Sequence, residues 1–393
     1  MKDILKNFIS TLSLRQRRGF QAAFICLVLI ASLSLMICIK KNSLYDQTVA
    51  QRWSDKKDSA QLTCFYPATE ALDDYYFQNL EHTIEKALTD ASVGPANEHA
   101  KLFADAVSTR GEITIESDSA SYTLQAMGIT NDFFLFHPIS LLYGSYFGGD
   151  DLMQDGIILD EDAAWQLFGS NDIVGMQVTI GGIPHYITGV TSRSEGRFDK
   201  AAGLNKSLCY ISLDSLKKYG TVQGSYTYEI VMPDPVKDFA RTTIQTALKD
   251  DENRIEVVEN SSRFHILPLM SVIKNFGIRS MNQRGILYPY WENRARAYED
   301  VFAAEIFIIL TATVVFGVLT LLFVIGKWRH KTISIHTELK KWILCRFEYI
   351  TEHNRKTKEN HESVKEKNRK TKEKKSRTKE QNKRAESENK RES

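Results

Sequence analysis

The residues able to do chemistry fall into a few small groups along the 393-residue chain. Carboxylates gather at Asp73-Asp74, Asp150-Asp151 and Asp160-Glu161-Asp162, and paired carboxylates could bind a divalent cation or share acid and base work. Each group sits at a helix start or in a turn, where a carboxylate satisfies free backbone amides and the helix dipole, so capping is the expected role. His185 has no ligand partner at metal spacing and reads as a surface or packed histidine. Gly144-Ser145-Tyr146-Phe147-Gly148 carries its serine one place too early for a nucleophile elbow. There is also no phosphate loop and no His-Glu-x-x-His pair. The chain is therefore not read as an enzyme, and no catalytic residue, cofactor or metal is assigned.

Five cysteines, Cys26, Cys38, Cys64, Cys209 and Cys345, show no metal-ligand spacing. Cys64 and Cys209 could form a bridge in an oxidising compartment or remain buried thiols; both readings stand. An aromatic and charged run, Tyr288-Pro289-Tyr290-Trp291-Glu292-Asn293-Arg294-Ala295-Arg296, offers two roles. Tyr and Trp favour the headgroup boundary of a bilayer. Tyr288, Tyr290, Trp291, Arg294 and Arg296 are equally the residue types that dominate protein interfaces, so they form a candidate docking surface for a partner.

These groups are positioned by elements that the hydropathy pattern defines. Gly19 to Ile39 carries no charged side chain and, as a helix, is about 30 Å long, the thickness of a bilayer core. Its exit lacks the small residues of a cleavage site, so it reads as an uncleaved anchor. Val301 to Ile325 is a second span with one charge, Glu305, near an end. Lys327, Arg329 and Lys331 follow it, and Lys2, Lys6, Arg15, Arg17 and Arg18 precede the first span. This bias places both termini in the cytoplasm and residues 40–300 outside. The expected localisation is the cytoplasmic membrane, in multi-pass form.

Residues 1–18 include an apolar stripe, Ile4, Leu5, Phe8, Ile9 and Leu12, which predicts an amphipathic helix on the inner leaflet or a frayed end with a chance pattern. Between the spans, strand and helix signals alternate as in an α+β domain. Strands are predicted at 60–66, 112–116, 122–128, 156–159, 176–180, 185–190, 208–211, 226–232 and 254–258. Helices are predicted at 71–91, 161–168, 213–219 and 236–248, with a mostly helical stalk over 268–300 interrupted at Gly285 and Pro289. After the second span (301–326), Ile333 to Ile350 is a candidate surface helix. The charged tail, 327–393, is expected to be disordered from Thr351 onward, because it has almost no apolar residue to bury. Its lysines alternate with glutamates, so weak attraction to anionic lipid or plain solvation is expected of it rather than nucleic-acid binding.

The stretch from Leu124 to Val190 is informative in a different way. It contains Leu124-Gln125-Ala126-Met127-Gly128-Ile129, Asp132-Phe133-Phe134, and Gly156-Ile157-Ile158-Leu159-Asp160-Glu161-Asp162-Ala163-Ala164-Trp165-Gln166-Leu167-Phe168-Gly169. Asp172-Ile173-Val174-Gly175 and Tyr186-Ile187-Thr188-Gly189-Val190 complete it. This pattern resembles the periplasmic core domain of MacB-type, FtsX-like ABC transporter permeases, over about residues 1–326.

The resemblance implies a two-lobed α+β extracytoplasmic domain on transmembrane α-helices, with one lobe at about 60–110 and 205–258 and an inserted lobe at about 111–204. It also implies a permease-like subunit that works with a separate ABC-type ATPase, with a second permease chain and with the lipid bilayer. Family members have four membrane helices, whereas this sequence carries two, so a membrane-anchored extracytoplasmic binding or adaptor protein is the alternative expectation.

Overall fold

A computed structural model describes residues 14–54, 58–70, 72–95, 100–148, 153–194, 196–248, 254–279 and 285–389. The apolar stripe at Ile4 to Leu12 and the Asp150-Asp151 pair lie outside the described residues. The chain divides into two units, one of residues 26–313 and one of residues 1–25 with 314–393.

The first unit opens with the end of helix α1 (Leu14–Asn42), a 3-10 turn at Tyr45–Gln47 and a short helix α2 (Val49–Trp53). Strand β1 (Ser59–Phe65) leads to α3 (Asp74–Asp90), where the Asp73 carboxylate accepts from the Tyr76 amide at 2.9 Å. Phe77, Leu80, Ile84 and Leu88 recur at helical spacing along α3, and all four are buried. Strands β2 (Ala104–Glu116) and β3 (Ser121–Ile129) follow, then a single-turn helix α4 (Phe133–Phe136) and an edge strand β4 (Leu141–Gly144).

Next come β5 (Gly156–Asp160) and α5 (Glu161–Phe168), joined where the Asp160 carboxylate accepts from the Ala163 amide at 2.9 Å. Gly169 ends α5 at φ 67°, a left-handed cap that suits glycine. The hairpin β6 (Gln177–Ile180) and β7 (Ile183–Thr191) turns on Gly181 and Gly182, both at positive φ. A short turn, α6 (Arg197–Asp199), precedes β8 (Leu208–Ser212), α7 (Leu213–Tyr219), β9 (Thr221–Val222) and β10 (Thr227–Pro233). The unit closes with α8 (Phe239–Leu248), β11 (Glu256–Glu259), α9 (Ile266–Arg279) and the first part of α10 (Tyr290–Asn389).

One sheet runs through the unit in the order β11-β1-β10-β2-β3-β8-β5-β7-β4. Neighbours are antiparallel except β3 with β8 and β5 with β7. The thirteen-residue β2 is its spine: Ala104 to Ser108 pair with β10, and Ser108 to Glu116 pair with β3. The start of β2 was illegible in sequence because Ala104-Asp105-Ala106-Val107-Ser108 lacks the bulky alternation of a half-exposed strand, being buried on both faces.

Separate apolar clusters lie along the sheet. One joins Leu62, Tyr228 and Ile230 to α3 and α8, and a second joins Ile113, Leu124, Leu159, Cys209 and Ile211 to α5. A third lies over Met127, Phe133, Phe136, Tyr210 and Trp291. Cys64 and Cys209 are free, buried thiols in different clusters.

In the second unit, α10 continues to Asn389. Thr351 to Asn389, the charged stretch with almost no apolar residue to bury, follows as the end of α10. It contains no Gly or Pro, pairs one turn apart such as Glu366 with Lys370 at 2.9 Å lie along it, and its described side chains are exposed. Two helical stretches, Arg17–Asn42 and Tyr290–Trp328, are long and apolar enough to cross a membrane, and their apolar windows are unburied.

Candidate functional site

The helix α10 enters the domain at Tyr290, and the side chains of its first turns meet a buried polar network. Arg263, just beyond β11, is buried against two carboxylates of α10. Its Nη1 and Nη2 donate to Glu292 at 2.8 and 3.0 Å, and its Nε donates to Glu299 at 2.7 Å. Nη1 also reaches Gln47 Oε1 and Asn260 Oδ1, both at 3.0 Å. The two-pronged contact to Glu292 is the geometry for which a planar guanidinium is suited. Burial alone would disfavour the charge, but Glu292 and then Glu299 outweigh it, so Arg263 is held charged even more firmly than an arginine in water.

From Arg263 the network runs both ways. Arg296 donates to Glu292 at 2.7 Å and to Glu256 of β11 at 2.6 Å, and its guanidinium lies 3.8 Å over the Tyr288 ring. Arg279 of α9 pairs with Glu299. In the other direction Asn260 donates to Thr63 at 2.7 Å, and Thr63 donates to Glu229 of β10 at 3.1 Å. Glu229 bonds His137 Nε2, whose Nδ1 stands 3.4 Å from Asp46 without hydrogen-bond alignment. Asp46 pairs with Arg294, which also donates to Asp199 at 2.7 Å.

Burial would lower the His137 pKa, but Glu229 and then Asp46 reverse this and push it up to about 9, so the imidazole is cationic at neutral pH. Burial likewise opposes ionisation of Asp46, yet His137 and Arg294 hold its carboxyl below the usual range. Trp291 covers the group, its ring centroid 4.0 Å from that of His137 and 5.6 Å from Phe133. Tyr210 and Tyr290 hydroxyls meet at 3.1 Å beside it. The arrangement contains no exposed nucleophile aimed into a cleft; its chemistry is that of a clamp, a set of compensated buried charges that hold one helix in one orientation.

Against known families, the model of the MacB-like periplasmic core domain matches residues 46–260, more than half of the chain. The chain belongs to this family. The match starts at Asp46 and ends at Asn260, two members of the network. Among solved structures, the periplasmic region of MacB from Actinobacillus actinomycetemcomitans is similar at 17% identity and TM-score 0.34, over 56% of this chain and 94% of that one. The extracellular domain of the noncanonic ABC-type transporter YknZ from Gram-positive bacteria is similar at 19% identity and TM-score 0.33, over 50% and 99%. No curated protein matches. The chain is thus a MacB-like membrane protein of the ABC transporter permease type, with a mixed α/β domain flanked by two apolar helices.

In this MacB-like core the candidate docking residues Tyr288, Tyr290, Trp291, Arg294 and Arg296 lie at the start of α10 and just before it. Trp291 is 2% and Tyr290 9% exposed, so neither presents a ring to a partner or to headgroups. Arg294 and Arg296 are half-buried in pairs within the chain, and Tyr288 bonds Glu256. These residues pack on Phe133, His137 and Glu256, far away in sequence. His185 is a packed histidine, bonded to Ser215 Oγ at 3.0 Å. Asp160 caps α5 as expected and also pairs with Arg193 at 3.0 Å.

Sequence reasoning missed Asp46, His137, Glu229 and Arg263. The local links are Glu292 with Arg296, four apart on a helix, and Asn260 with Arg263, three apart; the others named here are joined by the fold.

Proposed function

We propose that this chain is the permease-type subunit of an ABC transporter complex. In this reading it relays a conformational change, driven by a separate cytoplasmic ATPase, along α10 into an extracytoplasmic core domain. Both termini are cytoplasmic, the chain crosses the bilayer twice, and a second permease chain completes the helix bundle. Membership of the MacB-like family supports the permease role, and the basic residues outside each span support the orientation.

The observation that carries the relay is the rooting of α10. Within its first ten residues Trp291, Glu292, Arg294, Arg296 and Glu299 each make buried or half-buried contacts to β11, α9, the turn after α1 or the His137 group. A helix so held cannot tilt or rotate by sliding over the domain, because each step would strand a buried charge. Movement of the helix therefore becomes movement of the domain.

The test is purification in mild detergent followed by an ATPase assay. An ATPase subunit that co-purifies, and whose turnover changes when α10 is interrupted by Ala297→Pro, is the expected result. Proline in a helix interior costs about 3 kcal/mol and breaks the continuity the relay needs. Recovery of the chain without any ATPase would favour the membrane-anchored adaptor instead.

A further inference from the structure

Helix α9 is more apolar than its packing requires. At about 100° per residue, Leu269, Val272 and Ile273 share one face, and they pack with Leu44, Phe302 and Ile306 in a small cluster that includes Ile37 of α1. That accounts for the usual buried stripe of a surface helix. Beside it lies a second apolar arc, Ile266, Leu267, Met270 and Ile278, with exposures of 64%, 82%, 41% and 56%. Asn275 and Arg279 mark the polar strip, and Ser271 and Lys274 stand among the residues of the apolar arc.

The neighbours of α9 decide what meets this second arc. Ile37 belongs to the apolar stretch Arg17–Asn42, and Phe302 and Ile306 to the stretch Tyr290–Trp328. The helix is therefore packed against both stretches, at the ends where they enter the domain. Ile39, Phe307 and Ile308, close in sequence to those contacts, are exposed apolar residues too. The opposite end of α9 is anchored through Arg279 to Glu299 and, at 3.6 Å, to Asp300.

We infer that α9 is an interfacial membrane helix: Ile266, Leu267, Met270 and Ile278 lie in the acyl and headgroup boundary of the leaflet on the domain's side. The occupant of the arc is lipid. The arc is aliphatic and offers a partner protein no directional contact, and the stem of Lys274 can run along it while the ammonium reaches the headgroups. Held in this way, α9 would fix the height of the core domain above the bilayer. The inference rests on the two stretches crossing a membrane, and the experiment separates the two statements.

Spin labels are placed singly on the full chain in lipid nanodiscs, in a Cys26→Ala, Cys38→Ala, Cys345→Ala background, and their collision rates with oxygen and with a water-soluble nickel chelate are measured. Leu267→Cys and Ile278→Cys should show high oxygen and low nickel accessibility, and Asn275→Cys the reverse, with several-fold contrast. Val28→Cys and Leu321→Cys, within the spans, report the bilayer itself. If they read as lipid while positions 267 and 278 read as water, α9 is not interfacial and the spans stand. If all four read as water, the spanning reading fails and this inference with it. Dipolar broadening at 267 or 278 that disappears on dilution with unlabelled chain would put a second copy on the arc and overturn the assignment to lipid.

Discussion

Arg263 shows what the buried network demands of single residues. It is 5% exposed and compensates Glu292 and Glu299 together, so its removal strands two carboxylates. Arg263→Met should destabilise the core domain by about 3–5 kcal/mol, as expected when one partner of a buried pair is lost. Chemical denaturation of the detergent-solubilised protein measures this. The double change Arg263→Met, Glu292→Gln should recover part of the loss.

His137 makes a second prediction, in pH. Its folded pKa near 9 lies above the ordinary 6.5, so the folded state holds the proton more tightly. The stabilisation is complete below about pH 6.5 and is lost as pH rises through 9. Asp105 adds a decline of the same sign, since burial and then Glu81 push its carboxyl up to about 8, but that decline fades above pH 8 while the one from His137 continues through 9. The thermal midpoint should therefore keep falling between pH 8 and 9.5 in the native chain, and His137→Gln should flatten that interval. An unchanged slope in His137→Gln would show that the imidazole is not charged by its neighbours.

At the level of elements, the far part of the sheet depends on close backbone approach. Edge strand β4 meets β7 at Gly144, which sits at φ 84°, and a side chain there would come within 2.0 Å of the Thr188 carbonyl oxygen. Gly144→Ala should destabilise the β4–β7 edge by at least the roughly 1–3 kcal/mol of a strained residue, because backbone, not a yielding side chain, stands in the way. Amide exchange of β4 and β7 should rise sharply while that of β1 and β10 changes little. Gly169→Ala, also at positive φ but in open space, should cost less in the same assay.

Over the whole molecule, the unit holding the C-terminal part of α10 makes a separate prediction. Side chains described between Thr351 and Val364 are exposed, and the ion pairs between Glu352 and Glu373 are local to the helix. Exposed pairs of this kind contribute little. Truncation after Ile350 should therefore leave the thermal midpoint of the core domain unchanged, which calorimetry of the truncated and full chains in the same detergent would check. A lowered midpoint would show that the tail helix supports the core.

Periodicity and composition alone determined much of this protein. Long uncharged apolar runs have a single cheap environment, and alternation at period 2 or 3.6 reports which face of a local element is buried, so the two apolar helices, α3, α5 and the β6–β7 hairpin were all legible. The order of strands around β2, the clustering of Asp46, His137, Glu229 and Arg263, and the inward turn of Trp291 were decided only by tertiary structure. Their contacts join residues as far apart as Gln47 and Arg263, and no local pattern encodes which buried charge will find which partner.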